Sequence, residues 1–418
     1  MIADTVVTNC RLDGEPQLNC AFINEGVFVG FKRQVELEPS ELRGRKEIDA
    51  QGRLMLPGLV ETHVHLDKAC TVSRCALQKG TLQEAIEQTS RLKAEFTYQD
   101  IYQRGKQVLE KAIKHGTSYM RTHVEIDPVI GLVGFQAISA LKKEYAWAIT
   151  LELCVFPQEG LHNNPGTYEL LADALDQGAD LLGGCPYTDS EPEQQVRALF
   201  SLAKQYDVDI DFHLDFDLDT STMTLPFVIE MTQAFDYQGR VTVGHVTKLS
   251  ALPSQALAPI AVQMAMAGVH LTALPSTDLF LNGRDFDCLI PRGVAPLKPM
   301  SQRGVCCSIS SNNIENPFTP YGDASQIRMA NLYANIAHLA TKSELAQCFD
   351  WICTDSARLM KIVQHGIGVG KAADAVFFDA LDKADIVAKI ALPTMGIKRG
   401  NVTFTRPEVQ LHQLEKAQ

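Results

Sequence analysis

Leu56-Pro-Gly-Leu-Val-Glu-Thr-His63-Val-His65-Leu-Asp67 is the stretch on which the reading of this chain turns. The run leading into it, Leu54 to Val60, is apolar and reads as a buried strand, and it delivers two histidines at i and i+2. On a strand that spacing puts both imidazoles on one face. Where the strand ends at the mouth of a barrel, the two rings can share one metal ion. Two polar residues on an exposed strand would do no chemistry, but the buried run before them argues against that plainer reading.

Outward from this strand the chain alternates apolar β-rich runs with amphipathic stretches such as Thr81 to Glu95 and Asp100 to His115, the rhythm of repeated βα units. Eight strands are expected to begin near Leu59, Ser118, Ala148, Ala179, Asp209, Arg240, His270 and Gly304. The last is followed by helices over Gln326 to Ala340 and Ser343 to Ile362. The two ends read differently, as short strands and turns: Thr5 to Leu12, Ala21 to Phe31 and Lys46 to Leu56 at one end, and Ala373 to Asp379, Ile386 to Leu392 and Met395 to Phe404 at the other. The expected fold is therefore α/β, a (β/α)8 TIM barrel over 56–365 with a small β-sandwich built jointly from 1–55 and 366–418. Gly366-Ile-Gly-Val-Gly370 lies between a helix and a strand, the reverse of a phosphate loop, and reads as a connector.

Charge and composition narrow the function. Fifty acidic residues against 38 basic ones give −12, with no basic block, which argues against nucleic acid as a partner. No apolar run approaches the roughly 18 residues of a membrane span, and the first residues, with Asp4 among them, lack a basic leader. A cytoplasmic location is the expectation. Eleven cysteines, scattered apart from Cys306 and Cys307 and without a C-x-x-C, fit reduced buried thiols better than disulfides.

A metal site needs further ligands beside His63 and His65, and only strand-end residues can converge on it. His123, His213 and His245 close the second, fifth and sixth expected strands. His270 begins a strand, and His115, His162, His338, His365 and His412 fall in helices, loops or the tail.

With these residues in place the chain resembles the bacterial cytosine deaminase family of the amidohydrolase superfamily. The resemblance rests on His63-x-His65-Leu-Asp, Arg121-Thr-His-Val, Phe156-Pro-Gln-Glu-Gly160, His213, Val243-Gly-His245, Asp278 to Arg284 and Asn316 to Gly322, in order along nearly the whole chain. It implies one divalent ion, zinc or iron(II), held by His63, His65, His213 and the residue at position 312. It also implies a pyrimidine-edge contact from Gln158, and His245 orienting the attacking water. Phe318, a ring for stacking, and Lys68, a cation beside the motif, are further expected substrate contacts.

Two positions depart from the family. Asn312 stands where it carries a metal-binding, proton-shuttling aspartate, and Phe216 where His-x-x-Glu supplies a general acid/base. An amide cannot accept a proton near pH 7. Asp215, Asp217 and Glu125 are the neighbouring acids that could stand in, with Asp215 foremost. The expected activity is thus metal-dependent hydrolysis of a C–N bond in a small nitrogen heterocycle other than cytosine, with His245, Asn312 and Asp215 as catalytic residues. A catalytically silent heterocycle-binding relative is the alternative. The expected partner is the small-molecule substrate alone, with self-association into a homo-oligomer left open.

Overall fold

The computed structural model describes residues 3–412; the expectations for 1–2 and 413–418, the outer ends of the terminal segments, lie outside them. Five strands come first: β1 (Ala3–Leu12), β2 (Leu18–Asn24), β3 (Val27–Arg33), β4 (Gly44–Asp49) and β5 (Leu54–Pro57). Eight more follow: β6 (Leu59–Val64), β7 (Thr117–Glu125), β8 (Thr150–Phe156), β9 (Leu181–Gly184), β10 (Asp209–Leu214), β11 (Val241–His245), β12 (Val269–Ala273) and β13 (Cys307–Ile309). The chain closes with β14 (Ala375–Phe378), β15 (Pro393–Lys398) and β16 (Asn401–Thr405).

Strands β6 to β13 lie in sequence order in one parallel sheet. Every residue of β6, β7 and β11 is buried, as parallel strands covered on both faces must be. Intervening helices supply the cover. In Tyr98–Lys114, for example, Ile101, Gly105, Val108, Leu109 and Ala112 form one buried stripe, and the Thr97 side chain caps the first turn. The sheet closes on itself where the His65 amide donates to the Asn312 carbonyl and the Asn312 amide to that of His63, both at 2.9 Å. Asn312 adopts φ 62° there, a left-handed conformation that Asn tolerates better than most residues. This is the expected TIM barrel, with β6 and its two histidines at the seam.

The terminal segments share a second sheet in the order β16-β15-β14-β5-β1-β2-β3, with β4 beside β1. Val7, Ala21, Phe28, Met55, Phe377 and Ile397 pack together in its core. Asp374 ties it to the barrel, accepting from the Tyr119 hydroxyl at 2.6 Å and the Lys398 ammonium at 2.8 Å. β5 pairs with β1 and β14, so this sheet runs to Pro57 rather than stopping at residue 55.

Three local expectations are corrected. Ala21 to Phe31 is a hairpin, turning at Glu25 and Gly26 with φ 50° and 76°. Met395 to Phe404 is likewise a hairpin, turning at Arg399-Gly400. Ile386 to Leu392 is not a strand. Helix Lys383–Lys389 occupies it, capped by the Asp382 side chain and burying Ala384, Ile386 and Val387 against the barrel helices. The capping aspartate was the legible signal, overlooked because the apolar run is short.

Candidate active site

Side chains at the C-terminal ends of the barrel strands converge on one small cavity. His63 and His65 point the same way from β6, and His213 meets them from the end of β10. The Nε2 atom of His213 lies 3.0 Å from that of His63 and 3.1 Å from that of His65. Burial, reinforced by the neighbouring rings for His63 and His213 and by Lys68 for His65, holds all three imidazoles well below their ordinary pKa. They are therefore neutral, the form that binds metal.

The donor set itself tests whether a metal fits. Three neutral imidazoles face one another with the Nε2 of His213 against those of His63 and His65, and their Nδ1 atoms are buried without a hydrogen-bond partner among the described residues. Nitrogen ligands about 2.0–2.1 Å from a tetrahedral ion lie about 3.3 Å apart, close to the spacing seen. The cluster suits one divalent ion. Below it, His123 stacks on His63 with ring centroids 3.8 Å apart. Asp211 approaches His63 Nδ1 at 3.9 Å and His123 Nε2 at 3.6 Å while accepting from Arg121 at 2.9 Å. His123 thus ends up beneath the cluster rather than in the cavity wall.

Across the cavity stands His245. Its Nδ1 is 2.6 Å from the Asp278 carboxylate, and the Phe216 ring lies edge-on at 4.4 Å between centroids. Asp278 sits in the first turn of helix Pro275–Leu281 and is fully buried. Burial raises its pKa against the pull of His245. Asn312 lines the same cavity, its amide nitrogen 3.4 Å from His245 Nε2 and its side-chain oxygen buried without a partner among the described residues.

The remaining wall includes Lys68, Gln158, Tyr187 and Phe318, with Leu82, Leu281, Thr277 and Asn313 beside them. Lys68 is buried, donating to Glu125 at 2.7 Å and to Gln158 Oε1 at 2.9 Å, with its ammonium 4.5 Å from the centre of the Phe318 ring. Glu125 also takes a hydrogen bond from Lys93 at 3.2 Å. Burial alone would raise the Glu125 pKa, but the two lysines outweigh it and hold the carboxyl low.

The acids expected to stand in as proton carriers do not reach the cavity. Asp215 caps helix Leu225–Ala234, accepting from the Thr224 and Leu225 amides at 2.8 and 3.0 Å, which corrects its assignment as a catalytic group. Asp217 is exposed beside Lys248, and Glu125 sits behind Lys68. Arg284 and Arg292 bond to backbone carbonyls outside the wall. Sequence reasoning missed Tyr187 and the role of Asp278. An acid in the first turn after a strand end was the available signal for Asp278. It also missed Glu61, whose buried carboxylate accepts from the Ser311 amide and hydroxyl and from Gln326, and whose pKa burial raises to about 7.

The chain belongs to the amidohydrolase family, whose model matches residues 46–147 and 106–404. It is 28% identical over 367 residues to the N-isopropylammelide isopropyl amidohydrolase of Pseudomonas sp. (strain ADP), which covers 86% of this chain and 88% of that one. The pterin deaminase of Rhizobium rhizogenes is 26% identical over 369 residues, 87% of this chain and 83% of its own. Among solved structures, the 5-methylcytosine deaminase from Klebsiella pneumoniae, liganded with 5-fluorocytosine, superposes with a TM-score of 0.92 at 26% identity, covering 98% of this chain and 99% of that one.

Proposed function

We propose that this chain is a metal-dependent hydrolase that cleaves a C–N bond of a small, flat nitrogen heterocycle other than cytosine. The observation that carries the reading is the convergence of three neutral imidazole nitrogens on one side of a cavity that has the His245–Asp278 pair on the other. Three nitrogens suit zinc or iron(II). A divalent ion held there supplies the Lewis acidity that makes water nucleophilic at neutral pH and polarises the scissile carbon.

The side chains supply the rest. With Nδ1 of His245 held by Asp278, its other ring nitrogen, Nε2, faces the cavity, placed to take a proton from water and return it to the departing nitrogen. Asp278 is a positioning residue that fixes the tautomer and stabilises the ring once it is charged. Phe318 offers a face for stacking, and Gln158 and Lys68 offer polar contacts along one edge. Phe216 fills the place of the second proton carrier, so the proton relay runs through His245. The names of the two curated relatives and the ligand of the similar structure support a heterocyclic substrate.

Asn312 and Phe216 also favour a second reading, a silent heterocycle binder. Metal analysis of protein purified without chelator, with ammonia and amine release followed over aminopyrimidines, pterins and aminotriazines, separates the two. About one equivalent of metal with turnover of at least one ring is expected. Ring binding without turnover selects the silent binder, and metal-free protein sinks the proposal.

A further inference from the structure

Lys68 and Gln158 fix the hydrogen-bonding character of one cavity edge. An ammonium group only donates, so the Gln158 atom 2.9 Å from Lys68 Nζ is the amide oxygen, and the orientation of that amide follows. The oxygen is thereby engaged. What Gln158 has left is its NH2 group, which touches the weak acceptor Cys185 Sγ at 3.4 Å and the Tyr187 hydroxyl and keeps an N–H for the cavity. Lys68 has three N–H bonds, of which two go to Glu125 and Gln158, and the ammonium borders the cavity over Phe318.

A glutamine with both ends free reads a neutral lactam edge, accepting from N–H while donating to C=O. Here the wall offers donor beside donor. The charge distribution has the same sense. Among the described residues no Asp or Glu lines the cavity, and Asn312 and Phe216 border it. The Lys68–Glu125 pair is oriented with its cation at the cavity and its carboxylate turned back toward Lys93. Lys93 is matched in turn by Asp127 and Glu159.

We infer that Lys68 and Gln158 select a ring presenting two adjacent acceptors and bound as a monoanion: a planar oxo-azaheterocycle whose N–C=O edge has lost its proton. This rests on the reading of the cavity as the substrate site and narrows its substrate class. Lys68 is then a specificity residue, and its charge-assisted hydrogen bond favours the anionic ring by about 10- to 100-fold over an isosteric ring with donors on that edge.

The test is calorimetric binding of cyanurate, a trioxotriazine anion that has lost a ring N–H proton, against cytosine and 2,4-diaminopyrimidine, at mildly alkaline pH, to the protein as purified with its metal. Cyanurate should bind about 10- to 100-fold more tightly than 2,4-diaminopyrimidine. Lys68→Met should remove most of that ratio. Gln158→Glu, which keeps Lys68 but replaces the donor with an acceptor, should shift preference toward the diamino ring even if Lys68→Met fails to fold. Equal affinities, preference of the unaltered protein for the diamino ring, no binding of any of the three, or folded variants that both keep the ratio would each overturn the inference. Because binding is read rather than turnover, a chain that releases no ammonia but keeps the ratio sinks the hydrolase reading alone. A chain that turns over a neutral ring and lacks the ratio sinks this inference alone.

Discussion

Replacing Lys93 with methionine tests the charge network behind the cavity. Lys93 is 2% exposed, and its ammonium lies 2.5 Å from Asp127, 2.8 Å from Glu159 and 3.2 Å from Glu125. Burial disfavours the charged amine, but the three carboxylates overcome this and raise its pKa. Methionine keeps the length and removes the charge, leaving Glu125 and Asp127 buried with less compensation. Breaking a buried pair in this way costs about 3–5 kcal/mol. Glu159, 24% exposed at its side chain, adds little. With a melting entropy of about 2.1 cal/mol/K per residue, the 418-residue chain has about 0.9 kcal/mol/K in all, so Tm should fall by about 3–6 °C at pH 7.

The pH dependence gives the same reasoning a sign. In the unaltered protein Glu125 titrates below its ordinary value of 4.5, so its contribution to stability is present above that pH and is lost as pH falls through the lowered folded value. In Lys93→Met the orphaned carboxyls titrate upward, and the penalty should shrink as pH falls from about 7 toward 5. Scanning calorimetry across that range reads both effects. The double variant Lys93→Met, Asp127→Asn should cost about 1–3 kcal/mol less than the sum of the single changes. A single variant melting within about 1 °C of the parent at pH 7, with no pH trend in the difference, would refute the reasoning.

Three further outcomes are expected. His63→Ala with His65→Ala should abolish bound metal while circular dichroism stays unchanged, and an undiminished stoichiometry would show that the ion sits elsewhere. Asn312→Asp should tighten metal binding by about tenfold or more in chelator competition, since a carboxylate replaces a neutral amide at a left-handed position that Asp also tolerates; unchanged affinity means that position 312 does not face the metal. A chain ended near residue 365 loses β14, β15 and β16 and uncovers the β5 edge, so aggregation or loss of expression is expected. A soluble, monodisperse truncation with the parent's Tm would show that the terminal sheet does not depend on both ends.

Much of the site was legible because it follows strand ends. The i, i+2 spacing of His63 and His65 needs no tertiary information, since alternation is a property of any strand. His213 and His245 were found by where their strands stop. Asp215 failed by the same logic carried too far. It is two residues from His213 but leaves the strand at φ 48°, and its carboxylate turns to the amides of the next helix. The sequence shows Lys68 as a cation beside the motif but not its partner, because no local pattern shows that Glu125, 57 residues away, lies within 2.7 Å.

The sequence by itself determined the periodicities: parallel strands alternating with amphipathic helices, a β-rich texture at both ends, and histidines placed where strands terminate. These depend on neighbours within a few residues, which φ/ψ geometry and side-chain direction link directly. Only the tertiary structure decided which strand ends meet, that Asp278 rather than Asp215 serves His245, and that Lys68 turns the Gln158 amide. Those pairings cross the barrel between residues far apart in the chain, and they are set by closure of the sheet and by the need of each buried polar group for a partner, neither of which has a local signature.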